Sequence, residues 1–349
     1  MINESFYALT PDMVIQTLEK SGLQPTGHIM TLNSYENRVY DLKLSDDTHV
    51  VTKFYRPGRW SQEQIMEEHN FLFELQSEEI PVCAPLKFSD GSTVHETSGI
   101  FYAVWPRTGG RSKFELNDEE MEVLGRYLAR IHNVGAAQKA NHRIELNTET
   151  YARNPLRYLL DNNFIPLHLA KRYEETVYGI SEIYDVLSKD IPVHRIHGDC
   201  HLGNLLCGSH GWFFLDFDDF LTGVPVQDIW MISGDRDEYG KRQQRILIEA
   251  YRQFRDFKES WLNLIEPLRG LRFIHYSAWI ARRWEDPAFQ KAFINFGTTD
   301  YWEKETVDLE KQLLHIRENV QSLPFSLKHE AVEEEKELTN KDFFWDMDD

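Results

Sequence analysis

Cysteine is scarce in this sequence. Among 349 residues there are only Cys83, Cys200 and Cys207, and no two of them form a Cys-x-x-Cys pair. Three thiols cannot build the disulfide framework that stabilises small secreted domains. The sequence therefore predicts a protein of a reducing compartment.

Long apolar runs and a surplus of basic residues are also absent. No apolar run approaches the roughly 18 residues of a membrane-spanning helix, and residues 1–14 have no apolar core typical of a signal peptide. Lys and Arg number 38 against 57 Asp and Glu, which gives a formal net charge of −19. Nucleic-acid binding requires clustered basic side chains. We therefore expect a soluble cytoplasmic protein with neither a nucleic-acid nor a membrane partner.

The first hundred residues have the pattern of a small sheet. Hydrophobic residues make up 41% of the chain, which is enough for a sizeable core. Residues 39–44 alternate in polarity, and 48–55 are rich in β-branched and aromatic residues, so the two runs predict a β-hairpin. Ser61 and Gln64 fit a capping box that begins a helix reaching about residue 77. A first helix is predicted at 11–21, and further strands at 82–88, 92–96 and 99–105.

Beyond Gly109 and Gly110 the pattern becomes helical. Residues 118–134 have apolar positions at helical spacing, and Gly135 is predicted to cap the end of that helix. One β-like patch, 204–217, interrupts the helical patterns, which lie at 166–188, 238–257, 261–284 and 300–321.

These patterns predict an α+β protein of two lobes and a tail. The β-rich N-lobe is predicted to span 1–106, and the mostly helical C-lobe 107–327. Residues 328–349 are predicted to form a disordered acidic tail, because the last twenty residues hold nine acids against two lysines. Within this tail, the aromatic run 343–345 is a candidate short linear motif.

The segment 196–219 carries the most informative motif. It contains His-Gly-Asp at 197–199, Asn204 five residues after Asp199, and Asp216 after an apolar run. Transfer of a γ-phosphoryl group from ATP requires a carboxylate that accepts the proton of the attacking hydroxyl. It also requires an amide oxygen and a second carboxylate that hold Mg²⁺. Asp199 fits the first role, and Asn204 and Asp216 fit the second in type, order and spacing.

Lys53 and Glu68 form a second predicted pair. Lys53 lies among apolar residues on a predicted strand and needs an anionic partner. In the following helix Glu68 shares the face of Ile65 and Leu72, whereas Glu67 is turned about 100° away. We therefore predict that Glu68 pairs with Lys53 at the ATP site and that Glu67 is solvated.

The predicted phosphate-covering loop, 33–40, contains no glycine. Loops of this kind usually use glycine so that backbone amides approach the phosphates closely. Here the amides near 35–37 are expected to approach the phosphates, with the Ser34 hydroxyl as an additional donor.

Several stretches resemble a known family. HGDCHLGN (197–204) and FLDFDD (214–219), together with Lys53 and Glu68, resemble the aminoglycoside phosphotransferase and choline kinase branch of the protein-kinase-like fold. More narrowly, the chain resembles the stress response kinase A family, at LNSYENRVY (32–40), KFYRPGRWSQEQIMEEHNF (53–71), VQDIWM (226–231) and ARRWEDPAF (281–289). The resemblance covers roughly 5–320, and the acidic tail matches no part of the family pattern.

The resemblance implies a two-lobed kinase fold and a bacterial serine/threonine protein kinase that uses ATP and Mg²⁺. Carried over by position, Asp199 is the proton acceptor, Asn204 and Asp216 are the Mg²⁺ ligands, and Ser34 belongs to the ATP loop. We expect a monomer that acts on a protein substrate in a stress response. A small-molecule hydroxyl kinase would use the same catalytic residues, so only the resemblance favours a protein acceptor. A nucleotide-binding pseudokinase adaptor is the third alternative, although an adaptor has no need of Asp199.

Overall fold

A computed structural model describes residues 6–209, 211–233 and 236–321 of the chain. The chain divides into two compact units. The first comprises Met1–Leu146, Pro192–Glu259 and Pro287–Phe289; the second comprises Asn147–Ile191, Ser260–Asp286 and Gln290–Asp349. The predicted ends of the N-lobe at residue 106 and of the C-lobe at residue 327 remain predictions. The predicted disorder and linear motif at 328–349 lie outside the described residues.

The first unit contains a five-stranded antiparallel sheet with strand order β1-β2-β3-β5-β4. Its register places Lys53 of β3 opposite Val39 of β2 and Ala103 of β5. The predicted hairpin is therefore confirmed as β2 and β3. The strands are β1 Pro25–Leu32, β2 Arg38–Leu44, β3 His49–Phe54, β4 His95–Thr97 and β5 Ile100–Pro106.

The predicted strand at 82–88 is wrong. In the described residues that segment forms an isolated bridge, between Val82 and Phe214, and scattered backbone bonds, such as that from the Leu86 N–H to the Val104 carbonyl, but no ladder. Pro85 lies in its centre and has no N–H to donate to a ladder. An apolar run can therefore be buried here without becoming a strand.

Helices α1 and α2 of this unit begin where their capping residues predict. Thr10 caps α1, Pro11–Lys20, and accepts the N–H of Met13. Ser61 and Gln64 form the predicted capping box at the start of α2, Gln62–Ser77. Both helices end within one residue of the predicted position.

Helix α3, Asp118–Ala137, does not end at Gly135 as predicted. Gly135 is buried inside the last turn, where a Cβ atom would lie 2.0 Å from the carbonyl oxygen of Arg195. The glycine is needed because the chain at Arg195 passes this close to the helix backbone, and not because the helix stops.

Two short pairs of strands adjoin the His-Gly-Asp segment and the segment that contains Asp216. Strand β6, His194–Ile196, pairs with β9, Leu221–Gly223. Strands β7, Leu205–Gly208, and β8, Gly211–Phe214, form a hairpin, which confirms the predicted β-like patch. Residues 197–204 therefore follow β6, and residues 215–219 follow β8. Helices α6, Val226–Ser233, and α7, Glu238–Tyr251, complete the unit.

The second unit is helical and rich in aromatic residues. It is built mainly from α4 Asn154–Asp161, α5 Leu167–Leu187, α8 Ile265–Ala281 and α10 Thr299–Gln321. Tyr173 of α5 and Trp302 of α10 are fully buried and meet edge to face, with ring centroids 5.7 Å apart. A short helix, α9 Pro287–Ala292, lies between α8 and α10 in sequence. Of the helices in the described residues, none is long and apolar enough to cross a membrane.

Candidate functional site

The backbone of the His-Gly-Asp segment is held by a buried carboxylate. Asp228 of α6 accepts the N–H groups of His197 and Gly198, each at 2.8 Å, and the Nε2 of His132 lies 3.1 Å from the same carboxylate. Gly198 has φ of 83°, and a Cβ there would lie 2.4 Å from the carbonyl oxygen of Asp219. This close approach brings the segment after β6 against the segment after β8. Asp228 therefore supports the backbone of the segment that carries Asp199.

Asp199 and Asn204 are joined directly. The Nδ2 of Asn204 donates to the backbone carbonyl of Asp199 at 2.9 Å. The N–H of Leu215 donates to the backbone carbonyl of Asn204, also at 2.9 Å. Because Leu215 precedes Asp216, these two bonds bring Asp199, Asn204 and Asp216 close to one another.

Asp216 has an unusual backbone conformation. Its φ and ψ are 57° and 63°, in the left-handed region that a residue with a side chain rarely occupies. Its carboxylate is about half exposed. His197 Nε2 contacts the carbonyl oxygen of Leu215 at 2.9 Å, and the N–H of Leu215 is fixed by Asn204. These contacts therefore stabilise the left-handed backbone conformation of Asp216. Rare backbone conformations of this kind are concentrated at functional sites.

The predicted ion pair of Lys53 with Glu68 is wrong in this structure. The Nζ of Lys53 contacts Asp216 Oδ1 at 3.1 Å and pairs more closely with Asp218. Burial alone would lower the pKa of Lys53, but the charges of Asp216, Asp218 and Glu68 together raise it above its ordinary value. The two aspartates lie nearer to the ammonium than the helix glutamate does, and they take its hydrogen bonds.

Glu68 is nevertheless on the inner face of α2, as its spacing predicts. It is 1% exposed, and its Oε2 has no hydrogen-bond partner among the described residues. Burial and the negative charge of Asp218 raise the pKa of Glu68 to about 8. Burial therefore favours the neutral form of the Glu68 carboxyl more than it would in water, which lessens its need for an ion pair with Lys53.

The prediction that Glu67 is solvated is also wrong. Its carboxylate accepts the backbone N–H groups of His142 and Arg143, both at 2.9 Å, and that of Asn141 at 2.5 Å. A side chain turned away from one core face can still face another segment of the chain, and helical spacing does not reveal that segment.

Arg143 supports the turn that follows Asp216, and sequence analysis missed it. Its Nε donates to the carbonyl oxygen of Phe220 at 2.9 Å, and its Nη2 donates to that of Asp218. The guanidinium lies between the rings of Trp60 and Phe220, 4.1 and 4.4 Å from their centroids. Arg143 belongs to no recognisable motif, so nothing in the sequence signals this role.

Asp218 is the second residue that sequence analysis did not place. It is 4% exposed, and it accepts hydrogen bonds from Lys53 and from the Nδ2 of Asn37. Burial would raise the pKa of Asp218, but the charge and hydrogen bond of Lys53 lower it below its ordinary value. A charged Asp218 thus joins the strand lysine, the loop before β2 and the turn after Asp216.

The glycine-free loop is shaped by side chains. Ser34 Oγ accepts the N–H of Asn37 at 3.1 Å. Arg56 donates to the carbonyl oxygens of Tyr35 and Glu36, both at 3.1 Å. Arg59 pairs with the Glu36 carboxylate at 3.1 Å. These contacts fix backbone that a glycine-rich loop would leave mobile.

Arg59 also joins this loop to the turn after Asp216, because its Nη2 pairs with the carboxylate of Asp219. Together with the Asn37–Asp218 bond, this ion pair places the loop that contains Ser34 beside Asp216–Asp219. The structure therefore assembles five of the predicted residues around one acidic turn: Ser34 by its loop, and Lys53, Asp199, Asn204 and Asp216 by direct contacts.

The donor set at this turn fits Mg²⁺ held jointly with phosphate. No group of three or more His, Cys, Asp or Glu side chains in the described residues is arranged to hold a metal ion alone. Asp216 offers an exposed carboxylate, and Asn204 offers its amide oxygen, because its nitrogen is used on Asp199. Mg²⁺ commonly takes one or two such oxygen ligands and completes its shell with phosphates and water.

The sequence matches known kinases over most of its length. A profile described as the phosphotransferase enzyme family matches residues 28–264. Stress response kinase A of Escherichia coli is 39% identical over 316 residues, which covers 90% of this chain and 95% of that protein. A protein of Salmonella typhimurium named serine/threonine protein kinase RdoA is 39% identical over 315 residues, covering 89% of this chain and 95% of the relative.

Solved structures show the same fold at lower identity. An amicoumacin kinase aligns with a TM-score of 0.68 and 19% identity, over 90% of this chain and 96% of that one. A spectinomycin phosphotransferase aligns with a TM-score of 0.62 and 14% identity, over 88% and 98%. The predicted α+β, kinase-like fold is thereby confirmed. On the identity and coverage of its relatives, the chain belongs to the stress response kinase A family, within the phosphotransferase enzyme family.

Proposed function

We propose that this protein is an ATP- and Mg²⁺-dependent kinase that phosphorylates serine or threonine hydroxyls of proteins in a bacterial stress response. The observation that carries the proposal is the convergence of Asp199, Asn204, Asp216 and Lys53 on one turn, through the contacts described above. Each has the chemical type that phosphoryl transfer requires at its position.

Asp199 is the proposed proton acceptor. The acceptor hydroxyl oxygen forms a bond to the γ-phosphorus of ATP while the bond from that phosphorus to the β–γ bridging oxygen breaks. ADP leaves, and the hydroxyl proton passes to the Asp199 carboxylate. The hydrogen bond from Asn204 to the Asp199 backbone fixes the position of this residue.

Asn204 and Asp216 are the proposed Mg²⁺ ligands, and Lys53 and Ser34 the proposed phosphate contacts. Bound Mg²⁺ neutralises charge that develops on the transferring phosphates. The Lys53 ammonium stays protonated, since its pKa is raised, and it supplies a positive charge beside Asp216. Glu68 lies buried near this lysine but does not pair with it.

The protein acceptor is supported by one relative, whose name describes a serine/threonine protein kinase. The solved structures named for amicoumacin and spectinomycin are less than 20% identical to this chain, so their likeness concerns the fold alone.

Transfer of label from γ-³²P-ATP tests the proposal. The full chain is added to a lysate of a strain lacking it, beside Asp199→Asn as a matched control. A protein kinase labels serine or threonine in protein bands, and only with the unsubstituted chain. Label confined to small-molecule fractions would identify a small-molecule kinase instead, and no label with either protein would favour a nucleotide-binding adaptor.

A further inference from the structure

Helix α8 and the turn after it present two aromatic side chains between two arginines along one face. Arg272, Tyr276, Trp279 and Arg283, here called the aromatic stripe, are spaced by four, three and four residues. This spacing places all four on one side of the helix and of the turn that follows it. Two aromatic residues are therefore flanked by a cation at each end, in a chain whose net charge is −19.

The rings of the stripe form an accessible corner. Tyr276 and Trp279 are stacked, with centroids 5.5 Å apart and planes 14° from parallel. Phe293 stands nearly perpendicular to both, at 6.1 and 6.0 Å. Arg283 lies over the Trp279 ring at 5.0 Å. Tyr276 is 46% exposed and the neighbouring Ile294 is 78% exposed, so solvent reaches this corner.

The end of the sequence has the complementary pattern. Phe343, Phe344 and Trp345 are consecutive, with Asp342 on one side and Asp346 on the other. Asp348 and Asp349 add further negative charge. Aromatic residues flanked by acids thus match aromatic residues flanked by arginines, in both ring stacking and charge.

The chain is long enough to bring the two together. Helix α10 ends at Gln321, in the same compact unit as the stripe, and residues 322–342 separate it from Phe343. These 21 residues can span about 70 Å when extended. Helix α10 has 23 residues and is about 34 Å long. Residues 322–342 can therefore span a distance greater than the full length of α10.

We propose that residues 342–349 dock on the aromatic stripe of their own chain, with the rings of 343–345 against Tyr276, Trp279 and Phe293 and the flanking aspartates beside Arg272 and Arg283. This inference does not depend on the proposed kinase activity. It assigns a binding partner to a surface of the helical unit and a binding site to the acidic tail.

Amide hydrogen exchange on the full-length protein tests the docking. We expect amides of 342–349 to exchange about tenfold more slowly than in a free peptide of that sequence. This is the protection expected when the linker supplies a millimolar effective concentration to a contact with a Kd near 0.1 mM. Tyr276→Ser should abolish the protection. Tyr178→Ser removes a comparably exposed tyrosine of α5, in the same unit, and should leave the protection unchanged.

Charge reversal supplies an independent arm of the experiment. Arg283→Asp should weaken the protection, and adding Asp342→Arg or Asp346→Arg to that variant should restore part of it. Exchange at the free-peptide rate in the unsubstituted protein would overturn the proposal. Protection that grows with protein concentration would show docking on a second copy and would overturn the intramolecular contact. Failure of both reversals to restore protection would overturn the ion pairing.

Discussion

The Glu67 carboxylate on α2 accepts the backbone N–H of Arg143 at 2.9 Å, and the Arg143 side chain in turn holds carbonyl oxygens of the turn after Asp216. Helix α2 is therefore connected to the proposed metal-binding turn through the segment 141–143. Glu74 of the same helix adds a bidentate pair with Arg195 of β6, the strand that precedes the His-Gly-Asp segment. The helix is fixed to both halves of the candidate site.

Replacing Glu67 should lower the stability of the protein more than its catalytic rate. We expect Glu67→Gln to lower the free energy of unfolding by about 1–3 kcal/mol, because charge-assisted bonds to backbone amides of 141–143 are weakened. The kcat of the remaining folded protein should change less than it does in Lys53→Ala, which removes the proposed phosphate contact. Urea unfolding and steady-state kinetics measure the two effects. Glu182→Gln changes an exposed glutamate inside α5, and as the control it should alter neither.

Much of the fold could be predicted because local signals agree with the final contacts. Thr10 and Ser61 cap helices by accepting the backbone N–H three residues ahead. The β2–β3 hairpin follows from alternation and turn residues. The prediction for Gly135 is wrong because a glycine that permits close packing has the same sequence signal as one that ends a helix.

The candidate site was predictable only where the residues lie in motifs. Asp199, Asn204 and Asp216 come together as their order and spacing indicate. The partners of Lys53 were not predictable, because Asp216 and Asp218 lie more than 160 residues away and compete with a nearer candidate in sequence. The Arg143 side chain bonds to backbone carbonyl groups, which every residue has. Such contacts require no particular side chain at the partner residue, so no sequence pattern marks them.

Removal of the proposed metal ligands should raise the Mg²⁺ requirement. We expect Asn204→Ala to increase the Mg²⁺ concentration for half-maximal activity by about 10- to 100-fold. Asp216→Asn should do so more strongly, because a carboxylate supplies a full charge to a hard cation and an amide only a dipole. Magnesium titrations of phosphoryl transfer measure this, with the exposed Asp12→Asn as the control. Transfer that persists in excess EDTA would contradict the metal role.

His194 should make the protein less stable in mild acid. Burial and the nearby His132 lower the pKa of His194 to about 3 in the folded state, against about 6.5 unfolded. Below pH 6.5 the unfolded chain binds a proton that the folded chain does not, so stability is present above that pH and is lost as pH falls. Between pH 7.5 and 5.5 this one group should cost about 1.4 kcal/mol.

Denaturant unfolding at the two pH values, for the unsubstituted protein and for His194→Phe, isolates that contribution. The variant should lose about 1.4 kcal/mol less over this range. His168→Phe replaces an exposed histidine of α5 and should retain the full loss. An identical pH dependence in His194→Phe and the unsubstituted protein would show that the ring is not the group responsible.

Asp199→Asn should separate nucleotide binding from chemistry. Asparagine has nearly the same shape as aspartate, and the bond from Asn204 reaches the backbone of residue 199, which the substitution retains. Asparagine cannot accept the proton of the attacking hydroxyl, so transfer should fall by about 10²–10⁴-fold. Affinity for Mg-ATP should stay close to that of the unsubstituted protein, because Asn204, Asp216 and Lys53 remain in place.

Calorimetry with a non-hydrolysable ATP analogue and a transfer assay on the same preparation measure the two quantities. Loss of both would mean that Asp199 supports the conformation of the 197–204 segment. Retention of both would mean that another group accepts the proton, or that phosphoryl transfer here requires no base.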